Sequence, residues 1–362
     1  MKLRPTFCPI RLILWLLVLG FASPVGARHV VPLQEVLEYT PEDAVILPTE
    51  LRANDETVVM KLAPGVYDMA APLRFEGSSP TIEGSGSGLG PEATILDFRT
   101  YSDLEEDARA LSVRGPLTMR NLTIANVRGR ATDLRTGSIE TPSDAPVIFE
   151  NVWFIDCRTV FKSTGGRTVG TSSAPMVVKN CVAAITSDYP EDFPEVEPAV
   201  NLRDTSYALF DHCDFFNHRE LAHVQINDPE AAPNVGPSVT ISNSILLAAN
   251  GSDGTDATDD IYMTAGSLTI KNSVLWDEAG GGPLEVSGGG TPLFVDTVSA
   301  DPLYVKVTPT APAEDLDFCL RPGSPAEGLG SDGLNAGSVA ALPTGVSTWS
   351  LYNAEGEVRG VE

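Results

Sequence analysis

Apolar and polar positions along this chain recur in one short unit: apolar, any, apolar, any, Asn. It reads LTMRN to Asn121, VIFEN to Asn151, MVVKN to Asn180, VTISN to Asn243 and LTIKN to Asn272, while ALFDH keeps the register with His212 in place of Asn. The spacings are 30, 29, 32, 31 and 29 residues. A fixed period of this size, with period-two alternation inside each unit, predicts short strands stacked unit on unit into a solenoid.

Each unit from Leu111 onward divides into three strands. In the unit beginning at Ala145 they are VIF, VWFI and TVFK; later third strands are 199–203, 223–227, 260–264 and 283–287, and the preceding unit offers GSIET at 137–141. Strands of three to five residues, each paired with its counterpart in the next unit, predict a single-stranded right-handed parallel β-helix. Alternation turns the Asn column inward, together with the first and third residues after it: Leu122/Ile124, Val152/Phe154, Cys181/Ala183, Cys213/Phe215, Ser244/Leu246 and Ser273/Leu275. The column between them (Thr123, Trp153, Val182, Asp214, Ile245, Val274) is mixed and reads as an outer face. Inward amides satisfy backbone groups at a bend and bond to one another about 4.8 Å apart. His212 reads as a core residue doing the same.

The ends differ. Lys2, Arg4 and Arg11 precede the apolar run Leu12–Phe21 and the small residues Val25-Gly26-Ala27, which is the pattern of a secretory signal peptide over 1–27. The expected organisation is then 28–300 as β-helix with an N-terminal cap, PLQEVLEYTPEDAV being the capping-helix candidate. Residues 301–362 form an irregular C-terminal wrap and tail, 301–342 lying against the last rungs. The expected location is extracellular or periplasmic.

Charge narrows the partners. The formal charge of −25 becomes −28 once the three signal-peptide cations leave. Such acidity argues against nucleic acid and against an anionic membrane surface. Four cysteines outside the leader (Cys157, Cys181, Cys213, Cys319) are too few for a disulfide scaffold, and Cys181 and Cys213 follow the Asn/His position as small core residues.

LAPGVYD near the start, and DPLYV followed by DFCLRPGSPAEGLG near the end, resemble segments of the pectate-lyase-like superfamily of parallel β-helix proteins. AVNLRDTSYALFDHCDFF (199–216) is similar to the pectate lyase segment around "WIDHC". That resemblance implies calcium and a later arginine base, yet no arginine lies between Arg219 and Arg321. The polygalacturonase and pectin methylesterase motifs are absent too. Within such a superfamily the fold alone does not name a chemistry.

Stacking the third strands on Ile139, Phe161, Leu202, Ile226, Met263 and Val286 places Lys162 beside Arg203 on adjacent rungs, the candidate catalytic pair. Glu140 falls one rung below, with Asn201, Gln225, Asn227 and Tyr262 around them as substrate contacts. Two adjacent cations suit the carboxylate of a uronic acid, with a lysine of lowered pKa as base, an arrangement similar to that of alginate and dermatan lyases. The same residues also read as a solvated Glu140–Lys162–Arg203 ladder without function. Two acidic loops border this face. In 188–198, Tyr189 and Phe193 suggest a sugar-contacting lip; in 250–260, Asp253, Asp256, Asp259 and Asp260 offer oxygens to calcium, although the spacing matches no EF-hand. A monomeric polysaccharide lyase on an acidic glycan and a non-catalytic carbohydrate-binding or surface protein therefore stand side by side.

Overall fold

The computed structural model describes residues 35–49, 58–76, 79–104, 108–138, 144–163, 167–189, 196–218, 221–225, 236–248, 260–277, 283–308 and 311–338. The signal-peptide segment and the tail after 338 lie outside them. One sheet of 22 strands, parallel throughout its registered pairs, winds through the chain as a parallel β-helix. Its first-strand face runs from Glu35–Tyr39 through Val58–Leu62, Thr81–Glu83 and the strands ending at the Asn column to Leu293–Val295. Two rungs are continuous, Leu117–Leu134 and Val147–Ser163, each supplying all three faces in one strand.

The Asn column marks the first corner of every rung. Asn121, Asn151, Asn180, His212, Asn243 and Asn272 all have φ between 51° and 56°. This left-handed region costs an ordinary residue roughly 1–2 kcal/mol, and Asn tolerates it best among non-glycines. The repeat therefore selects a backbone conformation as well as an amide, which is buried at Asn121, Asn151 and Asn243. The amide ladder forms between Asn151 Nδ2 and Asn121 Oδ1 at 3.0 Å, whereas Asn243 donates to Asp211 Oδ1 at 2.7 Å and accepts from the Ser331 N–H. A second corner follows five residues on, at Asn126, Asp156 and Asn217, again with positive φ.

The inward residues that follow each corner are all buried, Leu275 the least so at 7%, whereas Asn180 and Asn272 of the column itself are half-buried. Ser244 and Ser273 serve there because their hydroxyls accept the N–H groups of Cys213 and Ser244 on the rung before, at 3.0 and 3.1 Å. Phe149, Phe154, Phe161, Phe210 and Phe215 fill the middle edge to face, successive ring centroids 5.1–5.8 Å apart. The four cysteines are free and buried.

Three expectations change. The capping-helix segment is a strand: Glu35–Tyr39 pairs in register with Val58–Leu62, because EVLEY alternates and an open sheet edge lies beside it. The third strand before Lys162 is 130–134, not GSIET, of which Gly137–Ser138 pairs outside the helix with Arg167–Thr168. The mixed second-strand column is not an outer face. Trp153, Val182, Ile245 and Val274 lie buried beneath Tyr304, Leu316, Phe318 and Ala336, so residues 301–338 run as a strap along the flank. Phe318 meets Trp153 edge on at 5.7 Å, and Asp214 receives hydrogen bonds from the Tyr304 hydroxyl, at 2.5 Å, and from the Ser338 N–H and hydroxyl. The strap thus reaches back well beyond the last rungs.

Candidate functional site

Among the described residues, the third-strand face gathers a cluster of opposed charges. Its register fixes which residues meet: Lys162 lies opposite Asp133 on one side and Asn201 on the other, and Arg203 lies opposite Gln225. Lys162 and Arg203 thus share a face on adjacent rungs, but two residues out of step. The position below Lys162, expected for Glu140, belongs to Asp133. In register Asn201 pairs with His223 and His223 with Tyr262, so His223 holds the place expected for Gln225.

Alternation fixes the face a side chain occupies but not its register. RATDL escaped notice because its inward residue is Thr132, which hydrogen-bonds to the Val160 carbonyl rather than packing as an apolar side chain. The signal that finds it is the second corner, since Asn126 marks the approach to the third strand as Asp156 does in the next rung.

Asp133 is fully buried and draws in three guanidinium groups: Arg135 at 2.9 Å, Arg109 at 3.2 Å and Arg130 at 3.9 Å. Beside it Glu197 binds Lys162 Nζ at 2.8 Å, Arg158 at 3.0 Å and the Thr159 hydroxyl at 2.8 Å. Arg203 turns back along its own strand, Nε donating to Asn201 Oδ1 at 3.0 Å, while its backbone N–H donates to Ser163 Oγ. Burial lowers the Lys162 pKa, Glu197 opposes that shift, and Arg130 and Arg203 add to it. For Glu197 burial works upward, but Lys162, Thr159 and Arg158 overcome it and the carboxyl ends below its ordinary value. Arg203 is lowered by burial, with Asp204 opposing.

Tyr189 is near enough to Arg158 and Glu197 to feel both charges, and burial raises its hydroxyl pKa. Tyr262 stands two rungs above Asn201. Asp260 is buried, its Oδ2 accepting the Glu285 N–H at 2.7 Å. Among the described residues no three His, Cys, Asp or Glu side chains gather in a way that would hold a metal. Glu140, Asn227, Asp253, Asp256 and Asp259 lie outside the described residues, as do Phe193 and the side chain of Gln225.

Sequence reasoning missed Glu197, Arg158, Arg130, Asp133 and His218. Glu197 sits at the end of the acidic loop that leads into the third strand, and its N–H bonds to the Arg158 carbonyl one rung below. His212 remains on the strap side. It is buried between Asp211 and Asp332, its ring nitrogens 3.3 and 3.4 Å from their carboxylates.

No protein-family model matches the chain, and no curated protein matches it. Among solved structures, the chain is similar to a pectin methylesterase from Aspergillus niger (TM-score 0.38, 15% identity, 77% of this chain and 88% of that one). It is similar also to a rice weevil pectin methylesterase (TM-score 0.38, 13% identity, 77% and 92%). Likeness at this level carries no argument about chemistry; the class that the strands themselves define is a parallel β-helix protein.

Proposed function

We propose that this protein acts on an acidic glycan at the third-strand face, by β-elimination at a uronic acid. One observation carries the reading: a chain of formal charge −25 gathers Arg109, Arg130, Arg135, Arg158, Lys162 and Arg203 on one face, where the described residues set Asp133, Glu197 and Asp204 among them. Cations gathered on one face attract a carboxylate brought in from outside.

In this reading Arg130, Arg158 and Arg203 receive the substrate carboxylate and neutralise it. That makes the hydrogen on the adjacent carbon acidic. Lys162 as free amine takes that proton; the C–H pair becomes the new double bond, and the glycosidic C–O bond breaks. The departing oxygen leaves with a proton returned by the lysine. No water is consumed, and the product is an unsaturated uronic end group. Tyr189 borders the entry.

The test is incubation of the mature protein with alginate, polygalacturonate and glycosaminoglycans while ultraviolet absorbance reports unsaturated ends. Lys162→Met is expected to lower the rate about 10²–10⁴-fold, the usual contribution of a proton-transfer group. No unsaturated product on any of these polymers sinks the proposal. A non-catalytic reading has its own support, because the 2.8 Å contact with Glu197 gives Lys162 a partner within the protein. Glycan binding without turnover, unaffected by Lys162→Met, would favour it.

A further inference from the structure

One buried group beside the site is not used by the proposed chemistry. His218 is 2% exposed and follows the second corner of its rung, Asn217. Its Nδ1 lies 3.2 Å from the backbone carbonyl of Glu197. A carbonyl only accepts, so Nδ1 carries the hydrogen and Nε2 is bare. That Nε2 is buried and has no hydrogen-bond partner among the described residues.

An orphaned buried nitrogen is destabilising, and a leucine would fill the space without that cost. The imidazole earns its place through Nδ1. Glu197 binds the rung below through its N–H, which donates to the Arg158 carbonyl at 3.0 Å. The His218 side chain supplies the matching donor from above. Between these two anchors the Glu197 carboxylate is aimed at Lys162 Nζ. Burial lowers the imidazole pKa to about 4, which keeps the ring neutral and the Nδ1 donor in place near neutral pH.

We infer that His218 is a positioning residue: its Nδ1–H clamps the backbone of Glu197, and through the Glu197 carboxylate it sets the position and basicity of Lys162. The consequence for turnover rests on the proposed role of Lys162, but the geometry and its test do not. The charged groups acting on Lys162 are Glu197, which raises its pKa, and Arg130 and Arg203, which lower it; Asp133 lies opposite in register.

The test measures the pH midpoint of Lys162 acylation by acetic anhydride in the intact protein, read at the peptide level by mass spectrometry without any glycan. Asn carries a donor near the Nδ1 position and Gln near the Nε2 position. His218→Asn is expected to keep the wild-type midpoint. His218→Gln is expected to lower it by about one pH unit, because burial, Arg130 and Arg203 are then less opposed. Glu197→Gln sets the reference and should lower it at least as far. Equal midpoints in wild type and His218→Gln overturn the inference, as does an unchanged midpoint in Glu197→Gln. If His218→Gln does not fold, His218→Asn decides alone, and a shift as large as that of Glu197→Gln overturns the inference. Midpoints as expected, with no elimination on any polymer, leave His218 as a positioning residue and remove only the lyase reading.

Discussion

At the scale of single residues, corners explain more of this molecule than faces do. Asn121 to Asn272 are the most regular polar residues in the chain, and each adopts a left-handed backbone that a β-branched residue would resist. Asp156 occupies the second corner and is only 2% exposed. Burial raises its carboxyl to about 6, although the Thr186 N–H and hydroxyl both donate to it. A folded-state pKa above the ordinary 3.8 means that the unfolded chain ionises first as pH rises. Stability is therefore lost between about pH 4 and pH 6, and the loss is complete above that range. Asn suits this corner, as Asn126 and Asn217 show, and its amide can still pair with both Thr186 groups. Asp156→Asn should stabilise the protein by about 2 kcal/mol at pH 8, with the gain vanishing near pH 4. Urea denaturation at the two pH values checks this, and an equal effect at both would contradict it.

At the scale of elements, the strap decides which surface is inside. Its Phe318 ring touches Trp153, Phe216 and Tyr304, at centroid distances of 5.7, 6.4 and 5.5 Å. Nothing in the alternation of VWFI said that Trp153 would be covered, because the covering residues lie well over a hundred positions later. Phe318→Ala should cost about 3–5 kcal/mol in urea denaturation, as for other buried aromatic truncations. A cost below about 1 kcal/mol would show the strap to be loosely held. The strap also reaches toward the site: the Ala311 carbonyl accepts the Ser187 N–H at 3.0 Å, and Asp188 Oδ2 accepts the Ala313 N–H at 2.8 Å, both just before Tyr189.

On the scale of the whole molecule, an acidic chain gathers a group of cations on its third-strand face. Such a patch attracts a polyanion locally while the net charge opposes its approach, so salt acts on both terms. Because the cations of the cluster are only partly exposed, the local attraction is screened less than the distant repulsion, but it is screened. Binding of an acidic glycan should weaken several-fold from about 50 mM to 500 mM salt, roughly the range over which the screening length falls from above 10 Å to a few Å. Arg203→Glu should weaken it further at low salt. Isothermal titration with size-defined oligouronates checks both, and salt-independent affinity would move the binding surface elsewhere.

How much was legible follows from what each interaction spans. The repeat spacing, the three-sided rung and the inward sets around Leu122, Val152 and Cys213 depend on alternation and corner residues, which are local, so the sequence alone determined the parallel β-helix and its core. The third-strand face was also placed correctly as the face of Lys162 and Arg203. Their register was not, because a shift of two residues leaves alternation unchanged, and only the hydrogen-bonded ladder puts Lys162 opposite Asn201 and Asp133. Glu197 reaches Lys162 from 35 residues away, and His218 reaches Glu197 from 21 residues on. Contacts made across rungs and by a strap folded back along the flank have no signature in local spacing. Tertiary structure alone decided them, since they depend on which backbone groups each rung leaves for the next to satisfy.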